Sequence, residues 1–293
     1  MTGATSGIGL HAARRLTPMA ALTVGARQPK AVQKLLGSSV RALPLDLADL
    51  RSAAAFADAA ADGPLIDRLI LNAGLQTISG DRSVQGMELT FAANHLAHFL
   101  ILKALTPRLA PNARVILTSS GTHDPALNTS IPPPVTADAR RLAHPDRAPD
   151  FDGDPTIAGR RAYSSSKLCN VMTAREAAAR LASSRPDVAF IAFDPGLTPG
   201  TGLARGYAPW QNFVFRHVMG RFVKGEKVST PQGAGAGLAA LALDPAYAGA
   251  RGDYWALRNL RLTATQPSVL ARDAAAGAKL WDDSEALIAE ATV

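Results

Sequence analysis

Thr2-Gly3-Ala4-Thr5-Ser6-Gly7-Ile8-Gly9 opens the chain and runs straight into an amphipathic segment, Ile8 to Leu16. Glycines at this spacing let the backbone turn sharply and come close to a diphosphate, whose charge is then held by amides at a helix N-terminus. Taken alone, the stretch reads equally well as an ordinary turn before a helix. What lies downstream has to decide between the two.

With 293 residues, 47% of them hydrophobic, the chain is long enough to bury a large core, and no run of about 20 apolar residues suggests a membrane span. One α/β domain over residues 1–293, with insertions, is expected. Cys169 is the only cysteine, which excludes an intrachain disulfide framework, and the start lacks a basic-then-apolar leader; both point to the cytoplasm. The formal charge of +7 is spread over scattered arginines, with doublets at Arg14-Arg15, Arg140-Arg141 and Arg160-Arg161. No nucleic-acid motif accompanies them, so solvated surface charge is the expectation.

Residues 21–26 (ALTVGA) read as a short buried strand ending at Arg27. In dinucleotide folds the loop after this strand meets the adenosine ribose, where an acidic residue suits NAD and a basic one suits the 2′-phosphate of NADP. No Asp or Glu competes with Arg27 here, so NADP(H) is preferred, with NAD(H) as the alternative and a surface arginine as the plain reading. Helices are expected at 29–36 and 50–61, and strands at 40–45, followed by Asp46 and Leu47, and at 68–72, closed by Asn72-Ala73-Gly74. Such alternation predicts right-handed crossovers and a parallel sheet with ligands at its carboxyl edge.

A long helix is expected over 88–109, carrying Asn94, His95 and His98. Paired histidines invite a metal reading, but no ligand partner stands at a familiar spacing, so packed histidines are expected and no metal site. Residues 114–120 read as another buried strand ending in Ser119 and Ser120. From 121 to 160 prolines break the pattern, and this inserted loop is either a lid or a surface excursion. Within it, His123 could reach a substrate or simply face water.

Helical spacing resumes at 161–183 and carries Tyr163-Ser-Ser-Ser-Lys167. Tyr163 and Lys167, at i and i+4, share a helix face, and a neighbouring ammonium would lower the phenol pKa towards that of a working general acid/base. Cys169 is expected to be packed. A strand at 187–193 closes at Asp194-Pro195-Gly196. Residues 197–230, with Trp210, Phe213 and Phe215, read as a substrate flap, or as aromatics packed in the core. A helix at 231–243, a last strand at 252–255 and a helix at 268–287 with Trp281 packed inward complete the expectations.

Jointly, Thr2-Gly3-x-x-x-Gly7-x-Gly9, Asp46, Asn72-Ala73-Gly74, Asn94, Ser120, Tyr163-x-x-x-Lys167 and Pro195-Gly196 resemble the short-chain dehydrogenase/reductase family over nearly the whole chain. The resemblance implies a Rossmann-type doubly wound parallel sheet with helices on both faces and a nicotinamide cofactor. Its diphosphate turn would be Gly3, Thr5, Ser6, Gly7, Ile8 and Gly9. It also implies that Tyr163 exchanges a proton with the substrate oxygen and Ser120 binds that oxygen, with Ser119 the fallback. Lys167 would tune Tyr163 and bind the nicotinamide ribose, and Asn94 would hold a water linking Lys167 to solvent. A small-molecule substrate, bulky and apolar, and a homo-oligomer are further expectations.

The C-terminal third resembles light-dependent protochlorophyllide oxidoreductases, through residues 163–170 (YSSSKLCN), 194–203, Lys224-Gly-Glu226, Gly252-Asp-Tyr-Trp255 and Leu280-Trp281. Those enzymes carry a cysteine after the Pro-Gly pair, where this chain has Leu197. A carbonyl or alcohol oxidoreductase is therefore the main expectation, with reduction of a pigment double bond and a non-catalytic NADP-binding regulator as alternatives. The resemblance also implies a buried first strand ahead of the glycine turn. Only Met1 stands there, so the sheet is expected to lack that strand and the natural start to lie upstream.

Overall fold

A computed structural model describes residues 1–147, 152–199, 204–205 and 225–292. Helices and strands alternate from the start: α1 (Gly7–Leu16), β1 (Thr23–Ala26), α2 (Pro29–Leu36), β2 (Arg41–Pro44), α3 (Leu50–Ala61) and β3 (Ile66–Leu71). A two-residue strand, β4 (Gln76–Thr77), precedes α4 (Leu89–Phe91), a π-helical turn (Ala92–Leu96) and α5 (Ala97–Leu105). Then come β5 (Leu109–Thr118), α6 (Ala139–Ala143), α7 (Pro155–Arg180), β6 (Ala189–Asp194) and a short β7 (Ala204–Arg205). The hairpin of β8 (Arg251–Arg258) and β9 (Arg261–Thr265) lies between α8 (Pro231–Leu243) and α9 (Ala274–Thr292).

Strands β3, β5, β6 and β8 pair in parallel in that order, with β9 antiparallel at the edge, while β1 and β2 form a parallel pair. Met1 and Thr2 bridge the two groups. The Thr2 amide donates to Ile70 O at 2.9 Å, the Gly25 amide donates to Met1 O at 3.0 Å, and the Met1 ammonium donates to Thr23 O at 2.6 Å. No strand precedes α1 among the described residues, as expected, and one β-bridge at Thr2 stands where the family resemblance implies the first strand.

The central strands are apolar on both sides, and their period of two divides the core. Phe190 and Ala192 of β6, with Val115 and Leu117 of β5, face α3, α5, α7 and α9; Ile191, Phe193 and Ile116 face α1 and α8. Trp281 of α9 packs edge-on against Phe99 of α5 at 4.8 Å, as the sequence suggested.

Three expectations change. The helix expected over 88–109 is interrupted by the π-turn at Ala92–Leu96, because the Asn94 side chain is tied to the backbone of Leu75 and not left on a helix surface. The region 121–160 is not all loop. It holds α6, and α7 begins at Pro155, since proline is well tolerated at the first helical position and Asp154 caps the turn, accepting from Thr156 N (2.7 Å) and Ile157 N (3.1 Å). The strand expected at 252–255 continues to Arg258 and turns back as β9 through Asn259 and Leu260, both at positive φ. A leucine at the second turn position hides the hairpin, because the usual signal there is glycine.

Candidate active site

A cleft of about 1110 Å³ opens at the carboxyl edge of the parallel strands. Its walls include Gly3, Thr5, Ser6, Gly7, Ile8 and Gly9 of the opening turn, Arg27 after β1, Asp46 and Leu47 after β2, and Asn72-Ala73-Gly74 after β3. Asn94, Ser119, Ser120, Tyr163, Lys167, Pro195 and Gly196 line the same cleft. Trp210, Phe213 and Phe215 of the expected flap lie outside the described residues, while Leu197 and Thr198 at its start reach the rim.

The opening turn fits an anion. Gly3 has φ +71°, and a Cβ on Gly9 would lie 2.0 Å from Gly3 O, so glycine is required at both positions for the turn to close on itself. The N-cap Ser6 makes no side-chain capping bond, so the first amides of α1 face the cleft with their partial positive charge. Arg27, exposed at the mouth, adds a full charge near the end of β1. At Asp46 the carboxylate accepts from the Ala48 amide at 3.0 Å, which shapes the loop after β2.

Thr2 holds this turn to the end of β3. Its hydroxyl oxygen accepts from Asn72 N and Ala73 N, each at 3.0 Å, and stands 3.0 Å from His98 Nε2. Asn72 Nδ2 donates back to Gly3 O at 3.3 Å, and Thr118 Oγ1 donates to Asn72 Oδ1 at 3.3 Å. Deeper in, Asn94 Oδ1 accepts from Leu75 N at 2.8 Å, and its Nδ2 donates to Leu75 O (2.8 Å) and to Ser166 Oγ (3.1 Å). The π-turn therefore fastens the loop after β3 to α7.

Tyr163 is 6% exposed and Lys167 2%. The Lys167 ammonium lies over the Tyr163 ring, 5.6 Å from its centroid, and donates to Thr118 O at 3.0 Å; Asn170 Nδ2, one turn on, donates to the same carbonyl at 3.0 Å. Burial pushes Lys167 down to about 8. Burial also pushes the Tyr163 phenol above its ordinary range, a hydrogen bond from the Ser120 side chain opposing the rise and the Asp194 charge adding to it. A phenol lowered by Lys167 is thus not what this arrangement produces, because the ammonium faces the ring and dehydration of the hydroxyl dominates.

Ser119 and Ser120 separate cleanly. Ser119 Oγ donates to Lys167 O at 2.8 Å and ties β5 to α7, whereas Ser120 is the hydroxyl beside Tyr163. Behind Ser120, His123 is buried. Ser268 N donates to its Nε2 at 3.2 Å, so Nδ1 carries the proton and donates to Ser120 O at 2.7 Å. It neither reaches a substrate nor faces water, but positions the serine loop. Asp194, 2% exposed, accepts from Gly196 N at 2.9 Å and from Arg258 Nη2 at 3.0 Å, and so braces the Pro195-Gly196 turn.

The two histidines of the π-turn region are packed groups. His95 bonds Ser284 Oγ at 3.0 Å, and burial holds both His95 and His98 down to about 3, which keeps them neutral. Cys169 is buried and its thiol is pushed up. Sequence reasoning took Arg160 as solvated surface charge and gave Asn170 no role, although their helical offsets from Tyr163 and Lys167 put them on or next to the same face. It also passed over Thr2 and Asp194 as working parts.

The fold and cleft define an oxidoreductase of Rossmann type. Residues 1–129 match the model of the short chain dehydrogenase family. The chain is 31% identical to protochlorophyllide reductase A of Oryza sativa subsp. japonica, over 98% of this chain and 79% of that one. It is 32% identical to a Streptomyces sp. (strain C5) protein assigned as a daunorubicin C-13 ketoreductase, over 99% of this chain and 92% of that one. Among solved structures, a short chain dehydrogenase from Burkholderia cenocepacia J2315 in complex with NADP superposes with a TM-score of 0.61 at 20% identity, covering 88% of this chain and 94% of that one. The chain belongs to the short-chain dehydrogenase family and is an enzyme, which sets aside the non-catalytic regulator. No helix among the described residues is long and apolar enough to cross a membrane.

Proposed function

We propose that this protein transfers hydride between NADP(H) and a carbonyl or alcohol substrate, with Tyr163 as the general acid/base. The observation that carries the reading is the convergence of the Tyr163 phenol, the Ser120 hydroxyl and the Lys167 ammonium in one cleft with the glycine turn. The cofactor would lie along Gly3 to Gly9, Asp46, Leu47, Asn72 to Gly74 and Pro195-Gly196, with Arg27 beside the 2′-phosphate. The NADP-bound Burkholderia relative supports a nicotinamide nucleotide there. When bound, the nicotinamide supplies or accepts the hydride.

The rest is work for side chains. Ser120 hydrogen-bonds the substrate oxygen as negative charge grows on it, and Tyr163 delivers a proton to the same atom. Lys167 and Asn94 then replace the proton from solvent through a water.

Purified protein incubated with NADPH and a panel of aldehydes, ketones and quinones should consume NADPH. Tyr163→Phe should lower kcat by about 10²–10⁴-fold with little change in NADPH affinity. Unchanged turnover in that variant would falsify the mechanism.

The similarity to protochlorophyllide reductases favours, as a second reading, reduction of a pigment double bond. Leu197, 43% exposed at the cleft rim, offers no proton for such a step. Light-dependent bleaching of a porphyrin pigment by the purified protein with NADPH would favour this reading over the first.

A further inference from the structure

The last residue of β5, Thr118, presents its carbonyl where the β3–β5 ladder stops. The final pair is Leu71 with Leu117, and the next amide along β3, Asn72 N, donates to Thr2 Oγ1 instead of continuing the ladder. Two side chains of α7 take the carbonyl: Lys167 Nζ and Asn170 Nδ2 each donate to Thr118 O at 3.0 Å. Three residues apart, they share a helix face, and the oxygen has one lone pair for each. Lys167 keeps two further N–H groups for the cleft it lines. Its ammonium is closely placed, since a Cβ on Gly74 would lie 3.4 Å from Nζ and 3.5 Å from Asn94 Oδ1.

Asn170 is fully buried, and its other end gains little from being an amide. The Oδ1 atom lies against the His95 imidazole, outside hydrogen-bond geometry. That ring has no proton to offer. Ser284 Oγ donates to Leu280 O at 2.6 Å, so the 3.0 Å contact between Ser284 Oγ and His95 Nε2 is filled by the single proton of the neutral ring. An amide oxygen buried in this way costs stability that an apolar side chain would avoid. What the amide does make is the bond from Nδ2 to the oxygen on which Lys167 rests.

We infer that Asn170 is a positioning residue: it fixes the Thr118 carbonyl, and through it the point at which the Lys167 ammonium meets the nicotinamide ribose. The inference rests on the reading of Lys167 as the group that binds that ribose. An ammonium on a flexible four-carbon stem has a wide reach, so the oxygen that anchors it decides where its free N–H groups point. Without Asn170, Thr118 O would lose one of its two restraints, and the ammonium would swing with it. Asn170 does not line the cleft and therefore acts only through Lys167.

The test compares NADPH with adenosine 2′,5′-bisphosphate, which keeps the adenosine ribose and the 2′-phosphate but has no nicotinamide ribose. By calorimetry, Asn170→Ala should weaken NADPH binding about fivefold, the size of one misplaced hydrogen bond, and leave the bisphosphate unchanged. Asn170→Ser, which retains a donor, should fall between Asn170→Ala and the unaltered protein. In turnover, Asn170→Ala should lower kcat about tenfold with little change in KM for the carbonyl substrate. A purely structural role for Asn170 would weaken both nucleotides together or leave both untouched, and either result overturns the inference. Lys167→Met separates the two readings. If it weakens NADPH selectively and Asn170→Ala does not, Lys167 holds the ribose without help from Asn170. If it alters neither nucleotide, the reading of Lys167 itself fails and the inference falls with it.

Discussion

The Thr2 hydroxyl donates its proton to His98 Nε2 across 3.0 Å. The direction follows from bookkeeping of lone pairs: both on Thr2 Oγ1 are taken by the amides of Asn72 and Ala73, which can only donate. His98 must then carry its proton on Nδ1, which donates to Asn94 O at 3.1 Å. A single chain of hydrogen bonds thus joins the glycine turn, the loop after β3 and the π-turn. Thr2→Val should leave two amides and a buried imidazole nitrogen without partners, lowering stability by about 2–4 kcal/mol, while Thr2→Ser should lose far less. Urea unfolding of the two variants decides this; equal losses would count against the chain.

Lys167 makes the stability of the cofactor-free protein depend on pH. Its folded pKa, about 8, lies below the unfolded value of 10.5, so between these limits the unfolded chain holds more protons and stability rises with pH. Below about 8 both states are protonated, and the penalty of the buried ammonium, roughly 3 kcal/mol, applies in full. Denaturant midpoints for the protein and for Lys167→Met should therefore converge between pH 8 and 10.5, with the variant relatively more stable on the low side. Parallel curves would refute this assignment.

The neighbouring serines should fail differently. Ser120→Ala should lower kcat by about 10²-fold, as expected for a lost donor to a developing oxyanion. For Ser119→Ala the main effect should be about 1 kcal/mol of lost stability, because its bond to Lys167 O is structural. Steady-state kinetics and thermal melts on both variants, compared side by side, check the register of this strand end.

Arg27→Asp should weaken NADPH binding by at least about tenfold and leave NADH binding much less affected, since only the former carries the 2′-phosphate. Fluorescence titration with both nucleotides measures it. Equal losses would remove Arg27 from the phosphate site.

Much of the architecture was legible because it is periodic. Strand-length segments such as 187–193, closed by polar or glycine turns, imply a parallel sheet covered on both faces, and the helix spacing from Tyr163 to Lys167 already puts both on one side. What escaped was non-periodic or depended on distant partners. Pro155 looks like a breaker until Asp154 is seen capping the helix it begins, and Leu260 conceals a hairpin turn. His98 and His123, weighed as metal ligand and substrate contact, became fixed tautomers only through Thr2 and Ser268, residues 96 and 145 positions away in the chain.

For the opening turn, the sequence by itself determined that a sharp glycine bend leads into a helix, because local sterics and propensity suffice for that. Tertiary structure alone decided what supports it: Thr2 bridges β1 and β3 where the family resemblance implies a whole strand and the sequence was expected to lack it, and long-range hydrogen bonds to Ile70, Asn72 and His98 hold it there. It decided the Tyr163 pKa as well. Spacing places an ammonium near the phenol, but whether charge or dehydration dominates depends on burial and on which face of the ring the ammonium meets, and both are set by packing between elements far apart in the chain.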